Sequence, residues 1–133
     1  MLQYVDSDPI TLINNARRDL KIVIDLVGNY ERTRDAAILS NIVKLSLLVY
    51  DNAIKAFLAV KGIRVKDPEH LSRVAHDFIP SEVASSDLRE LLTKCLSETK
   101  CGTDVINTGV EELSRLINYV HSASTHSVIH RGL

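Results

Sequence analysis

The stretch from Glu31 to Lys61, ERTRDAAILSNIVKLSLLVYDNAIKAFLAVK, decides the fold, because it contains neither glycine nor proline. Apolar side chains recur along it at intervals of three and four residues in two adjacent rows, which is typical of a helix with a wide buried face. The first row is Ile38, Ile42, Leu45, Val49, Ala53, Ala56 and Val60, and the second is Leu39, Val43, Leu47, Tyr50, Ile54 and Phe57. We expect this helix to be the central element of the domain.

A helix is predicted on the N-terminal side of this stretch. Asp8 followed by Pro9 is a helix start, since Asp can accept orphan backbone N–H groups and Pro suits the first helical position. Gly28-Asn29 is the expected stop. The apolar positions between them are Ile13, Ala16, Leu20, Val23 and Val27.

On the C-terminal side, Gly62 is expected to end the central helix, and Asp67-Pro68 indicates a loop. The pattern then predicts a short helix ending at Pro80, a fourth helix starting at Ser81 or at Ser86-Asp87, and a last helix starting at Thr103. Their apolar positions are Leu71, Val74 and Phe78, then Leu88, Leu91 or Leu92 and Cys95, and then Ile106, Val110, Leu113, Ile117 and Val120.

The composition agrees with a helical protein. The chain of 133 residues is 45% hydrophobic, enough for one core, and its five glycines and three prolines are too few for a turn-rich all-β domain. We therefore predict an all-α fold, an antiparallel four-helix bundle with an additional short helix, over residues 1–133 as a single domain. A net charge of -1 gives no overall basic field, so any nucleic-acid contact must be local.

The sequence also suggests a cellular compartment for the protein. It has no apolar run near the roughly 20 residues of a membrane span, and its start, MLQYVDSDP, lacks the pattern of a secretory signal. We expect a cytoplasmic protein without membrane contact. Cys95 and Cys101 lack the paired spacing of a zinc site and are interpreted as ordinary thiols.

The C-terminal stretch from Arg115 to Leu133, RLINYVHSASTHSVIHRGL, holds three of the five histidines of the chain. At about 100° per residue, and with Ile117 taken as the centre of the buried stripe, His121 falls roughly 40° from that centre. Five side chains lie within roughly 40° of the opposite pole: Arg115, Tyr119, Ser122, His126 and His130. This helix is the candidate site, although a core-edge histidine beside an ordinary solvated face would give the same pattern.

Two other patterns have simpler interpretations. His126 and His130, at positions i and i+4 of the helix, have a spacing that could bind a transition metal. No third acidic or thiol ligand is in register with them, so no metal site is predicted. The adjacent carboxylates of Glu111 and Glu112 point about 100° apart on a helix and are interpreted as a solvated face.

The segment from Tyr50 to Phe78, YDNAIKAFLAVKGIRVKDPEHLSRVAHDF, resembles the signature of HEPN domains. Its shared features are a helix rich in Ala, Lys and Leu, then Lys-Gly-Ile, a short loop containing proline, and a helix opened by His-Leu. Many members of that family carry on their last helix an Arg separated by about four to six residues from a His. Arg115 and His121 have this spacing, although Leu116 stands where active members tend to have a polar residue.

The resemblance implies a metal-independent endoribonuclease without a cofactor, of the kind found in toxin–antitoxin, phage-defence and CRISPR-associated systems. It implies a homodimer in which the two last helices face each other, with Arg115 and His121 as catalytic residues. Three side chains would then be auxiliary groups for RNA, namely Tyr119, Ser122 and His126, while His130 and Arg131 would border the site.

A second interpretation belongs to another class of protein. Relatives without activity bind only partners or nucleotides, so the chain could instead be a non-catalytic helical interaction module. Such a module would be the partner subunit of a minimal nucleotidyltransferase, or a small structural subunit of a nucleoprotein complex. The near-neutral charge favours this alternative, whereas the concentration of His and Arg on one helix favours the RNase.

Overall fold

The computed structural model describes residues 8–64, 70–85, 87–98 and 102–132, with side chains omitted at 72, 96–98 and 125–132. Within these ranges the chain forms five helices and no strand, which confirms the all-helical prediction. The helices are α1 (Pro9–Thr33), α2 (Ala36–Lys61), α3 (Leu71–His76), α4 (Leu88–Glu98) and α5 (Thr103–Gly132). None of the described helices is both long enough and apolar enough to cross a membrane.

The turn between α1 and α2 lies later than the sequence predicts. Gly28 sits inside α1, because the apolar stripe continues to the buried Tyr30 and keeps the helix against the core. The helix ends at Arg34, whose left-handed backbone (φ 56°) directs its N–H to the carbonyl of Tyr30 at 2.8 Å. Asp35 then caps α2, since its carboxylate accepts the backbone N–H of Ala37 at 2.9 Å.

α2 is the central helix, as expected, because each of the other four helices packs against it. Its largest fully buried side chains are Tyr50 and Phe57. The two predicted rows are not buried evenly, however, since Ile38 and Leu45 are only half-buried. The buried members along α2 are Leu39, Ile42, Val43, Ser46, Val49, Tyr50, Ala53, Ile54, Ala56, Phe57 and Leu58.

Two long-range hydrogen bonds fix the direction of α5 against α1. Arg34, at the end of α1, donates to the hydroxyl of Thr103 at 3.2 Å, where α5 begins. Nearer the start of α1, Arg17 donates to His121, far along α5. The two helices therefore run antiparallel.

The segment after α2 follows the predicted order of elements. Gly62 ends α2 with a left-handed backbone (φ 70°), as expected. α3 ends at His76, and Phe78 is 53% exposed instead of continuing the apolar row. Phe78 does not reach the core because the helix ends at His76 and its periodicity is lost. Ala75 and Ile79 are the residues of this segment that are buried instead.

Cys95 corrects the interpretation of the cysteines. It is buried on α4 and is disulfide-bonded, so it is not an ordinary thiol. The interpretation as thiols rested on the absence of zinc-site spacing, which does not show whether the fold brings two sulfur atoms together. Cys101 lies outside the described residues. Because disulfides are usual in oxidising compartments, the cytoplasmic location stays a prediction.

We expect the stability of the protein to depend on the buried face of α2. Truncation of the fully buried Ile54 to Ala should lower the free energy of unfolding by about 2–5 kcal/mol, because it leaves a cavity among packed helices. Leu48→Ala, on the same helix but 47% exposed, is the matched control and should cost less than about 1 kcal/mol. Urea unfolding followed by circular dichroism measures both, and equal losses would contradict the central role of this face.

Candidate functional site

The buried stripe of α5 is centred about 60° away from the predicted position. Its centre is Val120, not Ile117, because buried residues extend to the side of Leu116 and Glu112. The buried positions are Ile106, Gly109, Glu112, Leu113, Leu116, Ile117, Val120 and Ser124. This rotation determines which polar side chains of α5 meet other helices and which reach solvent.

His121 lies on the shoulder of α5 that faces α1. Its side chain is half-buried, and its Nε2 atom is 3.1 Å from Nη1 of Arg17. A guanidinium can only donate, so Nε2 of His121 accepts in this hydrogen bond and Nδ1 is left to carry the ring proton. Arg17 therefore helps to orient the ring and favours the tautomer with the proton on Nδ1.

Tyr119 lies on the opposite shoulder and packs against the core. Its ring centroid is 6.0 Å from that of Phe57 on α2, in a tilted arrangement. The prediction that Tyr119 points away from the core is therefore wrong, and the shifted centre of the stripe is the reason. Ser122 is exposed, as its predicted position requires.

Arg115 is exposed and contacts the connection between α3 and α4. Its Nε atom donates to the backbone carbonyl of Val83 at 3.3 Å. One turn earlier on α5, the carboxylate of Glu112 accepts the backbone N–H of Ser85 at 2.7 Å. α5 thus holds this connection at two points, through one cation and one anion.

Arg115 and His121 do not meet within one chain. They are about 120° apart around α5, and each contacts a different part of the fold. Arg115 is directed to the carbonyl of Val83, whereas His121 is directed to Arg17 on α1. A joint site for these two side chains requires a second copy of the chain.

The remaining predicted site residues, His126, His130 and Arg131, lie outside the described side chains. Their proposed contacts with RNA stay predictions. Among the side chains that are described, no group of three His, Cys, Asp or Glu residues is arranged to hold a metal ion.

A polar cluster inside the fold was not predicted from the sequence. The hydroxyl of Tyr50 is 2.9 Å from Nε2 of His76, and the two rings are stacked at an interplanar angle of 19°. Burial lowers the pKa of His76 below its ordinary value, while the negative charge of nearby Glu112 acts in the opposite direction. His76 is therefore a neutral imidazole held between α2 and α5.

Glu112 belongs to this cluster and is only 7% exposed, so its interpretation as part of a solvated face is wrong. The carboxylate is turned inward because the α5 stripe is rotated toward it, and the backbone N–H of Ser85 compensates for lost hydration. Glu111 is exposed, as expected. No spacing rule could have found the cluster, because its members come from three separate helices.

An apolar cleft of about 200 Å³ opens between α4 and α5. It contains two of the large exposed apolar side chains of the chain, Leu91 and Val105, which are 42% and 41% exposed. Gly109 forms part of its floor, where a Cβ atom would lie 3.7 Å from the Leu92 side chain. The cleft carries few polar groups, and Asp104, Thr108 and Glu112 supply them.

Comparison with known proteins gives no match among family models, curated proteins or solved structures. The resemblance to HEPN domains therefore rests on the segment from Tyr50 to Phe78 and on the spacing of Arg115 and His121.

We expect His76 to make the stability depend on pH. Because its pKa is lower in the folded chain than the value of 6.5 for a free imidazole, the unfolded chain takes up the proton first on acidification. The contribution of neutral His76 to stability is present above about pH 6.5 and is lost as the pH falls through the range below that value.

His76→Gln should accordingly reduce the difference in unfolding free energy between about pH 7.5 and pH 5, measured by denaturant melts. Arg73→Gln, exposed on the same helix, is the control and should leave that difference unchanged. An unaltered pH dependence in His76→Gln would refute the buried neutral state of this residue.

Proposed function

We propose that this protein is a metal-independent endoribonuclease of the HEPN type. The observation that carries the proposal is the surface-accessible imidazole of His121, whose Nε2 atom lies 3.1 Å from the guanidinium of Arg17. A neutral imidazole is the side chain best suited to remove a proton near neutral pH, and an always-protonated guanidinium is suited to bind phosphate. The fold in this proposal is an antiparallel four-helix bundle of α1, α2, α4 and α5 with α3 as the additional short helix.

The reaction needs these groups, the RNA and a proton from water. His121 takes the proton of a 2′-hydroxyl at Nε2, and the 2′ oxygen forms a bond to the adjacent phosphorus. The bond from phosphorus to the 5′ oxygen breaks, and that oxygen takes a proton from solvent. The products are a 2′,3′-cyclic phosphate and a 5′-hydroxyl. The guanidinium of Arg115 stabilises the charge that develops on the phosphate.

A dimer through α5 completes the site in this proposal. A two-fold axis beside α5 brings Arg115 of one chain toward His121 of the other, which the separation of about 120° forbids within one chain. The contact of Arg115 with Val83 does not oppose this arrangement, because it is one hydrogen bond of 3.3 Å at an exposed side chain. Ser122, exposed on the same helix, is an auxiliary donor.

The resemblance places such an enzyme in a toxin, phage-defence or CRISPR-associated context, in the cytoplasm, with RNA as substrate and an antitoxin or a nucleotidyltransferase as partner protein. Tyr119 is different from the other auxiliary residues, because it packs against Phe57. In the proposed site it supports α5 from the core side and does not donate to RNA.

A non-catalytic interaction module is the second candidate, and the cleft between α4 and α5 favours it. Leu91 and Val105 expose apolar surface on both sides of this cleft, as a docking site for an apolar side chain of a partner would. A nucleotidyltransferase subunit or a nucleoprotein complex would be the partner in that case. RNA cleavage that depends on His121 would exclude a purely non-catalytic role.

We expect the protein in solution to be a symmetric dimer of about 30 kDa, twice the 14.8 kDa of one chain. Light scattering at micromolar concentration measures the mass directly. Ser122→Arg places a bulky charge on the exposed face of α5 and should shift the mass toward one chain. A mass near 15 kDa for the unaltered protein would contradict the dimer.

We also expect RNA cleavage that persists in EDTA and depends on α5. His121→Ala and Arg115→Ala should each lower the cleavage rate by about 10²-fold or more, since each removes one member of the acid–base site. Asn107→Ala, exposed near the start of α5 and outside the site, is the matched control and should retain the full rate. Circular dichroism and melting temperature check that every variant is folded.

Mixing the two inactive variants tests where the site is located. A mixed dimer retains one intact pair of Arg115 and His121 across the interface, so partial activity should return. No recovery, despite demonstrated exchange of subunits, would rule out a site shared between chains. Absence of cleavage by the unaltered protein under all conditions would favour the interaction module.

A further inference from the structure

Arg17 contacts His121 and was not singled out by the sequence pattern. It lies on α1, separated by 104 positions from His121, and its guanidinium is exposed. We propose that Arg17 is a phosphate ligand of the RNA site, acting in the same subunit as His121. This inference rests on the proposed function and adds to it a cation that does not depend on dimer formation.

The contacts of Arg17 distinguish it from a cation that only stabilises the surface. Within the described chain, no ion pair joins Arg17 to a carboxylate, and its side chain forms one hydrogen bond, to the imidazole of His121. Arg18, the next residue, instead contacts the carboxylate of Asp19 at 3.4 Å. Arg17 therefore has a full positive charge and most of its five N–H donors directed at no anion.

The geometry suits a phosphate beside His121. A guanidinium presents its donors as a planar fork that matches two oxygens of a phosphate. With one nitrogen already 3.1 Å from Nε2, a phosphate on the remaining donors is placed within reach of the base. Lys21 is exposed one turn further along α1 and on the same side as Arg17, so it extends the positive surface toward the next phosphate of the strand.

The same hydrogen bond controls the base. In the free protein, the N–H of Arg17 occupies the electron pair of Nε2 that must accept the 2′-hydroxyl proton. A phosphate that has bound to the remaining donors is a stronger acceptor than a neutral imidazole, so it then draws the first nitrogen of the guanidinium away from Nε2 as well. The base is then released only when RNA is in place, and the proton follows the route already given.

Arg115 cannot take this role within one subunit, because it lies on the other side of α5 and donates to Val83. The two arginines thus have separate positions in the proposed site. Arg17 belongs to the subunit that contributes His121, and Arg115 comes from the partner subunit.

The test compares Arg17→Ala and Arg17→Lys with Arg18→Ala, which removes the same charge from the neighbouring position of the same helix. In single-turnover cleavage with EDTA, we expect Arg17→Ala to lose about 10²-fold in rate, as for loss of one stabilising donor at a developing charge. Arg17→Lys should recover part of the loss, because it keeps the charge but not the fork. Arg18→Ala should remain within about threefold of the unaltered rate.

A second measurement reports on the contact without requiring activity. Ring ¹⁵N chemical shifts of His121 should show a protonated Nδ1 and a hydrogen-bonded Nε2 in the unaltered protein and in Arg18→Ala. Arg17→Ala should change the Nε2 signal. Addition of a 2′-O-methyl oligonucleotide, which cannot be cleaved, should produce a similar change in the unaltered protein by drawing Arg17 to the phosphate.

The outcomes separate the two proposals. If the protein cleaves RNA through His121 and Arg17→Ala retains the full rate, the role of Arg17 is overturned and the RNase activity stands. If the protein does not cleave RNA, the proposed function fails. Binding of the 2′-O-methyl oligonucleotide then tests whether Arg17 is a phosphate ligand. Binding that Arg17→Ala weakens about tenfold, and Arg18→Ala does not, supports the phosphate ligand, whereas equal binding by all variants overturns it.

Discussion

The burial of α2 by all the other helices is the constraint on which the rest of the structure depends. Its residues Tyr50 and Phe57 are fully buried, and each contacts a side chain of another helix. Tyr50 holds His76 of the short helix α3, and Phe57 supports Tyr119 of α5. Because interiors are densely packed, fixing the face of α2 leaves α3 and α5 little freedom in how they approach it.

The rotation of α5 on this core is the second determinant. A shift of about 60° in the centre of its stripe sends Glu112 into the interior and Tyr119 against the core. The same rotation leaves Arg115 at the connection between α3 and α4, and brings His121 against α1. One packing choice therefore separates the two residues whose sequence spacing suggested a common site.

His76 and His121 each form a hydrogen bond with a side chain of another helix, but their surroundings give them different capacities. His76 is half-buried against Tyr50 and near the negative charge of Glu112, and burial lowers its pKa. His121 is half-buried at a seam and meets a guanidinium that solvent and ligands can reach. The hydrogen bond of His121 is exposed and can exchange its partner, whereas His76 is bonded to the fully buried Tyr50.

The sequence by itself determined the helical class and the order of the five helices. It also determined the start of α1 at Pro9, the end of α2 at Gly62 and the start of α5 at Thr103. These features were predictable because periodicity and capping are local properties of the chain. It misplaced the turn at Gly28 because burial of Tyr30 outweighed the low helix propensity of a glycine. Only the tertiary structure decided that Arg17 meets His121, that Tyr50, His76 and Glu112 form one cluster, and that Cys95 is in a disulfide. The physical reason is that these contacts join separate helices, and their existence depends on how each helix is rotated against α2, which no spacing within a single helix encodes.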